Sequence, residues 1–513
     1  MPYYTFKRSG KNRYLVLRWK KRIGGIPTVV KEVSVGTAAN LAEILENGIN
    51  DIVLKSYTAG STLSALYMDQ KIGLRDTVNS ITGHRGNGMS PGDYMLLFIM
   101  NRLSDPCSKN SMEKWIRRDY ASIIFPVASS QDFWNVMDRF SDKDMKDIQI
   151  SIRDKIMGMG YDFKNIFFDA SNMYTFMEEN DMAKKGHNKK HRYDLNQVSY
   201  YIASSYDYIP LYFESYAGNI HDSKTFESIM GNIPVNSTLI FDRGYNSKNN
   251  IDLISDRKYI GALKQSDYHD IMELDVKRDS YIELARNVYG KDHRIILYHS
   301  QSLEKRKKLQ FMKRIGKVMS RVKRIIDTGD SNSMEKARIY LESENLNETI
   351  LLPSLEINQE RMNERLSMMG KNAVFTNIMD MDAESIIDLY KKRNRVEHCF
   401  RTINTVDMAF PLYHWTPQKI RVHMFFSLMA YLFLALMRMI LKPVMELYLT
   451  TVLEVVSTIK IVYITRKKNI SVKLSSGDER AMMVMEKFNL EKLIYHLRMN
   501  DEKTSGISAW GTI

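Results

Sequence analysis

Cysteine is nearly missing, with only Cys107 and Cys399 in 513 residues. Two cysteines cannot build a disulfide scaffold or a cysteine-rich zinc site, so a reducing cytosol is the default setting. Long apolar runs are also scarce. The longest, Met424–Met437, spans 14 residues before Arg438 stops it, short of the ~20 that a bilayer crossing needs. A buried helix and no membrane partner are expected. The first residues, MPYYTFKRSGKNRYLVLRWKK, alternate apolar and basic side chains and lack the apolar core of a signal peptide. No repeat period points to a solenoid. What remains is an ordinary globular composition, 44% hydrophobic and 26% charged, which excludes a mainly disordered chain. The length allows two to four domains. Acid is the deficient charge: 74 Lys and Arg face 60 Asp and Glu, a net +14. That excess favours a polyanionic partner, nucleic acid before membrane.

Patterning divides the chain. Short strands (YYTF, YLVL, TVVKEVSV) with SGKN and GGIP turns make residues 1–40 a small β region. Nine Lys or Arg precede its first acid, Glu32, so it either tracks a phosphate backbone or carries a solvated basic face. Residues 41–158 turn helical, with start signals at Ser90-Pro91-Gly92-Asp93 and Ser141-Asp142-Lys143-Asp144. Between 159 and 264 short apolar strands alternate with helices, predicting a mixed sheet flanked by helices in an α/β fold. Strands are expected at Ile166–Phe168, Gln197–Ala203, Ile209–Tyr216, Leu239–Phe241 and Tyr259–Leu263. Residues 265–371 break the rhythm. Within them Lys305–Arg324 holds ten basic residues and no acid, with Leu309, Met312, Met319, Val322 and Ile326 at helical spacing. Lys305, Arg306, Lys307 and Lys308 on that helix are candidate DNA contacts, and a solvated helical hairpin is the competing reading. Residues 372–450 resume the core with a long helix expected from Ala383 through Asn404. The C-terminal region 451–513 contains a basic hairpin pattern, KIVYITRKKNISVKLSS.

Three acids occupy positions suited to chemistry. Asp169 follows the apolar strand IFF and Asp242 follows LIF, and the carboxyl ends of buried strands face the crevice where α/β sheets bind ligands. Glu397 lies in a helical run, where at ~100° per residue Tyr390 is ~700° away, nearly two turns, and so shares its face. Arg393 and Arg401, each four residues from Glu397, flank it. Taken singly, each acid could be a helix cap, a turn residue or a surface ion pair. Together they form an oxygen-rich set that suits magnesium. Two such ions, ~4 Å apart, serve phosphodiester displacement, and arginines would grip the phosphate bidentately.

Several ordered blocks then converge on one family. FFDASNMYTF around Asp169, LIFDRGYNS around Asp242 and YKKRNRVEHCFRTIN around Glu397 resemble DDE transposases of the insertion-sequence family-four superfamily, whose signature is Tyr, two residues, Arg, three residues, Glu, six residues, Lys. GHNKKHRYDLNQV and AGNIHDSKTF are similar to recurrent blocks of the same family, and NRLSDPCSK is a weaker echo. The resemblance implies a ribonuclease-H-like core interrupted by an insertion before the glutamate helix. It implies Asp169, Asp242 and Glu397 as catalytic metal ligands for two Mg²⁺ ions (Mn²⁺ able to substitute), with Tyr390 and Arg393 at phosphate-contacting positions. The signature's Lys falls on uncharged Asn404, where Arg401 is the candidate substitute. His187 and Arg192, in a glycine-containing basic loop, are candidate phosphate contacts; His187 and His191 would suit a metal only if helical. The implied partners are double-stranded DNA (terminal inverted repeats and target DNA) and a second copy in a DNA-bound homodimer, in a prokaryotic cytoplasm at the nucleoid. On the residues alone two other readings stay open: a catalytically inactive transposase-derived DNA-binding protein, and a ribonuclease-H-like nuclease without strand transfer.

Overall fold

In the computed structural model of the chain, the described residues are 2–10, 12–37, 52–84, 88–186, 194–264, 266–330, 332–466, 469–495 and 497. The N-terminal strands β1 (Pro2–Ser9), β2 (Asn12–Ile23) and β3 (Ile26–Thr37) make an antiparallel sheet of their own. Its strands are longer than the sequence patterns suggested. Gly24 and Gly25 close the β2–β3 turn at φ 59° and 85°, a left-handed pair that favours glycine. Glu32 accepts from both Lys7 and Arg18.

β4 (Ile52–Thr58) leads into a helical region running from Gly60 to Gly158. The two expected start signals fold as capping boxes: Ser90 with Asp93 opens Pro91–Ser104, and Ser141 with Asp144 opens Asp142–Gly158. Each satisfies two orphan N–H groups reciprocally.

The main sheet begins with β5 (Asn165–Thr175), β6 (Asn196–Ser205), β7 (Pro210–Ala217), β8 (Thr238–Phe241) and β9 (Tyr259–Ala262). It continues with β10 (Tyr281–Val288), β11 (Lys291–His299) and β14 (Lys371–Thr376), while the two-residue strands β12 (Ile350–Leu351) and β13 (Glu356–Ile357) pair in a separate sheet. The eight-stranded order is β10-β11-β14-β9-β8-β5-β6-β7. β5, β8 and β9 are parallel and their outer neighbours antiparallel. Counted along the chain from β5, the core half runs 3-2-1-4-5, which is the ribonuclease-H-like mixed sheet flanked by helices. β6 is buried along nearly its whole length, as a strand covered on both faces must be. At the β7 edge, Gln149 accepts from the Phe213 N–H at 3.0 Å, so the helix from Asp142 covers an otherwise open edge.

Of residues 265–371, the strands β10, β11 and β14 extend the main sheet, and the helices between them hold a second small core. There Ile315, Val318 and Val322 pack on Ala337, Leu341 and Met362. The apolar stripe read from the sequence is therefore buried only in its later half, and Leu309 and Met312 stay exposed. The apolar run near the C-terminus becomes a 25-residue helix, Pro417–Leu441, longer than the run suggested. By length and composition it could cross a bilayer, but 89% of its apolar window is buried inside the protein. It packs on β7 and on the helices Gly60–Ile72 and Pro91–Ser104. The basic hairpin folds as β15 (Lys460–Arg466) and β16 (Asn469–Ser475), and β15 pairs with β4 from the opposite end of the chain.

Lys109, from the helical region, reaches His414 Nε2 at 3.1 Å and His423 Nδ1 at 2.8 Å, and those two ring nitrogens lie 3.2 Å apart. His423 Nε2 pairs with the Ala409 carbonyl at 2.9 Å. Burial, then Lys109, pushes His414 down to about 3 and His423 well below its usual range. Unfolding at acid pH must therefore take up protons. The histidines' contribution is complete above the unfolded histidine value of ~6.5 and is lost as pH falls from there toward 3, on the order of 5 kcal/mol for His414. Calorimetric melting of the wild type should drop steeply between pH 6.5 and 4, and His414→Asn should show a shallower drop.

Candidate active site

The β5–β8 register sets the geometry. Phe167 pairs with Ile240, so at constant offset Asp169 stands level with Asp242 on the neighbouring parallel strand. Phe168 packs against Phe241 at 5.8 Å and Tyr245 at 4.6 Å between ring centroids, forming an aromatic floor that fixes both strands. Asp242 ends β8 as expected. Asp169 does not end its strand: β5 continues to Thr175, because β6 pairs along its full length while β8 stops at Phe241. Asp169 thus faces the crevice because its neighbour ends there, while its own strand runs on.

The two aspartates are held alike. Asp169 Oδ1 accepts from the Ala170 N–H at 2.8 Å, and Asp242 Oδ1 accepts from the Arg243 N–H at 2.8 Å. In both, Oδ2 turns toward one guanidinium. Arg393 Nη1 lies 3.2 Å from Asp169 and 3.8 Å from Asp242, and its Nη2 lies 3.6 Å from Glu397. The Arg393 and Asp169 side chains are 13% and 5% exposed, whereas that of Glu397 is 51% exposed. Burial opposes the Arg393 charge, but Asp242, Tyr390, Asp169 and Glu397 outweigh it and hold the guanidinium above its ordinary value. Tyr390 lies beneath, its ring centroid 6.0 Å from that guanidinium. Burial pushes its phenol up to about 12 against the pull of Arg393.

The helix expected from Ala383 through Asn404 is two helices, Ala383–Lys391 and Asn394–Thr405. Between them Arg393 N bonds the Tyr390 carbonyl, and Val396 N bonds that of Arg393, a tightened i→i−3 turn. The turn carries Arg393 into the acids rather than along a continuous helix face. Arg401 lines a separate groove with Arg395 and His398, and Asn404 is half-buried on the same helix. His187 and Arg192 lie outside the described residues.

Basic residues rim the acids. Lys307 is pushed down by burial and then by Arg243 and Arg306, which places the start of the basic helix beside the turn after Asp242. Lys308 is paired with Glu304 at 2.5 Å, leaving Lys305, Arg306 and Lys307 without a carboxylate partner among the described residues. Neutralising those three together should flatten the salt dependence of DNA binding by ~2–3 in log–log slope, from ~0.9 per phosphate. Lys308→Gln alone should change it little, as filter binding from 50 to 200 mM salt would show.

The donor set is all carboxylate oxygen, which fits a hard divalent cation. Among the described residues no three His, Cys, Asp or Glu side chains stand together as ready ligands for one ion; the Arg393 guanidinium stands between the acids. Residues 163–433, more than half of the chain, match the family model described as transposase DDE domain. The chain belongs to that family. No curated protein matches it. The matched span of this transposase opens just before β5 and ends within the core helix, so it contains all three acids, Tyr390 and Arg393. Sequence reasoning placed Arg393 near phosphate but missed its central position, for which the break at Lys392–Arg393 leaves no pattern signal. It also missed Arg243, which adjoins Asp242 in sequence and could have been read as part of the rim.

Proposed function

We propose that this protein cuts DNA at the terminal inverted repeats of an insertion sequence and joins the freed ends to target DNA, in the manner of the Tyr-Arg-Glu-Lys type of the family-four superfamily. The observation that carries the reading is the convergence of Asp169, Asp242 and Glu397 on one guanidinium, within a chain of the DDE transposase family. Asp169 and Asp242 would hold one Mg²⁺ between them, and Glu397 would complete the shell of a second, with Mn²⁺ able to replace either. When bound, such ions activate the attacking oxygen and stabilise the leaving one.

The chain's own groups do the rest. Arg393, displaced from the acids, turns its planar fork to the phosphate oxygens. Tyr390, with its phenol held protonated, donates to the same phosphate. The basic rim of Arg243, Arg306 and Lys307 orients the strand. In the first step a water oxygen bonds to phosphorus and the P–O3′ bond breaks, leaving a 3′-hydroxyl and a 5′-phosphate. In the second, that hydroxyl attacks a target phosphate and releases its 3′-oxygen, so the bond count is conserved without an energy cofactor. Both ends would be handled in a DNA-bound homodimer.

The test is incubation of purified protein with Mg²⁺ and DNA carrying the element's own ends. Cut and joined products support transposition. Cutting without joining would replace it by a nuclease, and binding without cutting by an inactive DNA-binding descendant.

A further inference from the structure

We propose a second phosphate-binding groove, beside the glutamate helix, that holds the backbone of the DNA strand leaving the acids; it rests on the reading of the protein as a DNA-cutting enzyme. The groove has a volume of about 670 Å³ and is lined by Arg395, His398, Arg401, Thr402, Arg438 and Tyr448, with Glu446 as its one acid. Arg395, His398 and Thr402 recur at i, i+3 and i+7 and so share one face of Asn394–Thr405. Arg401, one turn beyond Glu397, stands between that face and the acids.

Charge is the first reason to expect an anion. Among the described residues no carboxylate pairs with Arg395, Arg401 or Arg438. Three arginines around one concavity, against Glu446 alone, raise a positive potential that an anion relieves. Pre-orientation is the second. The Arg395 guanidinium lies 3.7 Å from the Tyr206 ring centroid and donates to the Tyr206 hydroxyl at 2.7 Å and to its carbonyl at 3.2 Å. Arg438 is 8% exposed, donates through Nε to the Leu447 carbonyl at 2.8 Å, and leaves Nη1 without a hydrogen-bond partner. A buried guanidinium N–H is rarely left so, because native structures pair such groups. Arginine forks match phosphate oxygens, and the exposed hydroxyl of Tyr448 adds a neutral donor.

Spacing selects the occupant. Glu397 and Arg401 are one helical turn apart, ~5.4 Å, while each strand of duplex DNA carries a phosphate every ~3.4 Å of rise. A strand held at the acids therefore brings its next phosphates over the groove. These contacts position the strand without reading its sequence.

The experiment is fluorescence anisotropy with a labelled 20-base-pair duplex in EDTA, from 50 to 200 mM salt, on the full chain. His398→Glu with Arg401→Glu changes two exposed side chains and so tests the groove without disturbing the core. Arg438→Gln is the companion variant, used if its melting temperature matches wild type. The double variant should bind about 10-fold more weakly, with a salt slope shallower by ~1–2. Excess inorganic phosphate should not compete at equal ionic strength, as expected for a strand rather than a free ion. Wild-type binding with unchanged affinity and slope in the double variant would overturn the groove and leave the DNA-cutting reading intact. If the wild type itself fails to bind the duplex, both fall together.

Discussion

Replacing Asp169, Asp242 or Glu397 by alanine, one at a time, is expected to lower DNA cleavage by at least ~10³-fold, which is ~4 kcal/mol of transition-state stabilisation. DNA affinity should change little, because it comes from Lys and Arg contacts to phosphate. The three effects should be alike and far from additive, since each change breaks the same oxygen cluster. Folding is not the cause of the loss. With Asp169 gone, Arg393 retains Asp242 at 3.8 Å and Glu397 at 3.6 Å, so melting temperature should fall only modestly. Calcium should support DNA binding but not cleavage, its looser coordination fitting the in-line geometry poorly. Gel assays of cleavage and binding on the same preparations separate the two properties. Near-normal cutting by Glu397→Ala would remove that residue from the mechanism.

The second large effect belongs to Arg393. Arg393→Gln leaves Asp169 buried without its cation, and breaking a buried pair costs ~3–5 kcal/mol. The lower end, ~3 kcal/mol, is expected here because Asp242 and Glu397 reach water and relax their mutual repulsion. Millimolar Mg²⁺ should restore part of the lost melting temperature by supplying the missing positive charge. Arg393→Lys keeps the charge, so its stability should lie near wild type. Its ammonium is a single point, however, and cannot span three carboxylates or grip a phosphate with a planar fork. Cleavage by the lysine variant should therefore fall about 10- to 150-fold, the ~1.5–3 kcal/mol of one charge-assisted hydrogen bond. Wild-type stability and cutting in both variants would mean that Arg393 neither balances the acids nor touches the strand.

The sequence by itself determined whatever depends on neighbours within a few residues. The apolar triplets IFF and LIF became β5 and β8 because short buried runs bounded by polar residues have few other uses. Ser90 and Ser141 opened helices because a hydroxyl and an acid three residues on satisfy the first N–H groups locally. The acids stood out as candidates only together, because they came in ordered blocks with a family's spacing. Only the tertiary structure decided the rest. β4 pairs with β15 across some 400 residues of chain, and β10, β11 and β14 extend the main sheet; pairing partners leave no trace in local periodicity. Lys109 meets His414 and His423 for the same reason. The break at Lys392–Arg393 is set by where Arg393 finds its carboxylates, a distance of 224 residues to Asp169. A helical wheel assumes a continuous helix, so it grouped Tyr390, Arg393 and Glu397 correctly but put Arg401 with them. The fold instead turns Arg401 to the neighbouring groove, because burial of Val396, Cys399, Phe400 and Ile403 fixes the rotation of that helix against the sheet.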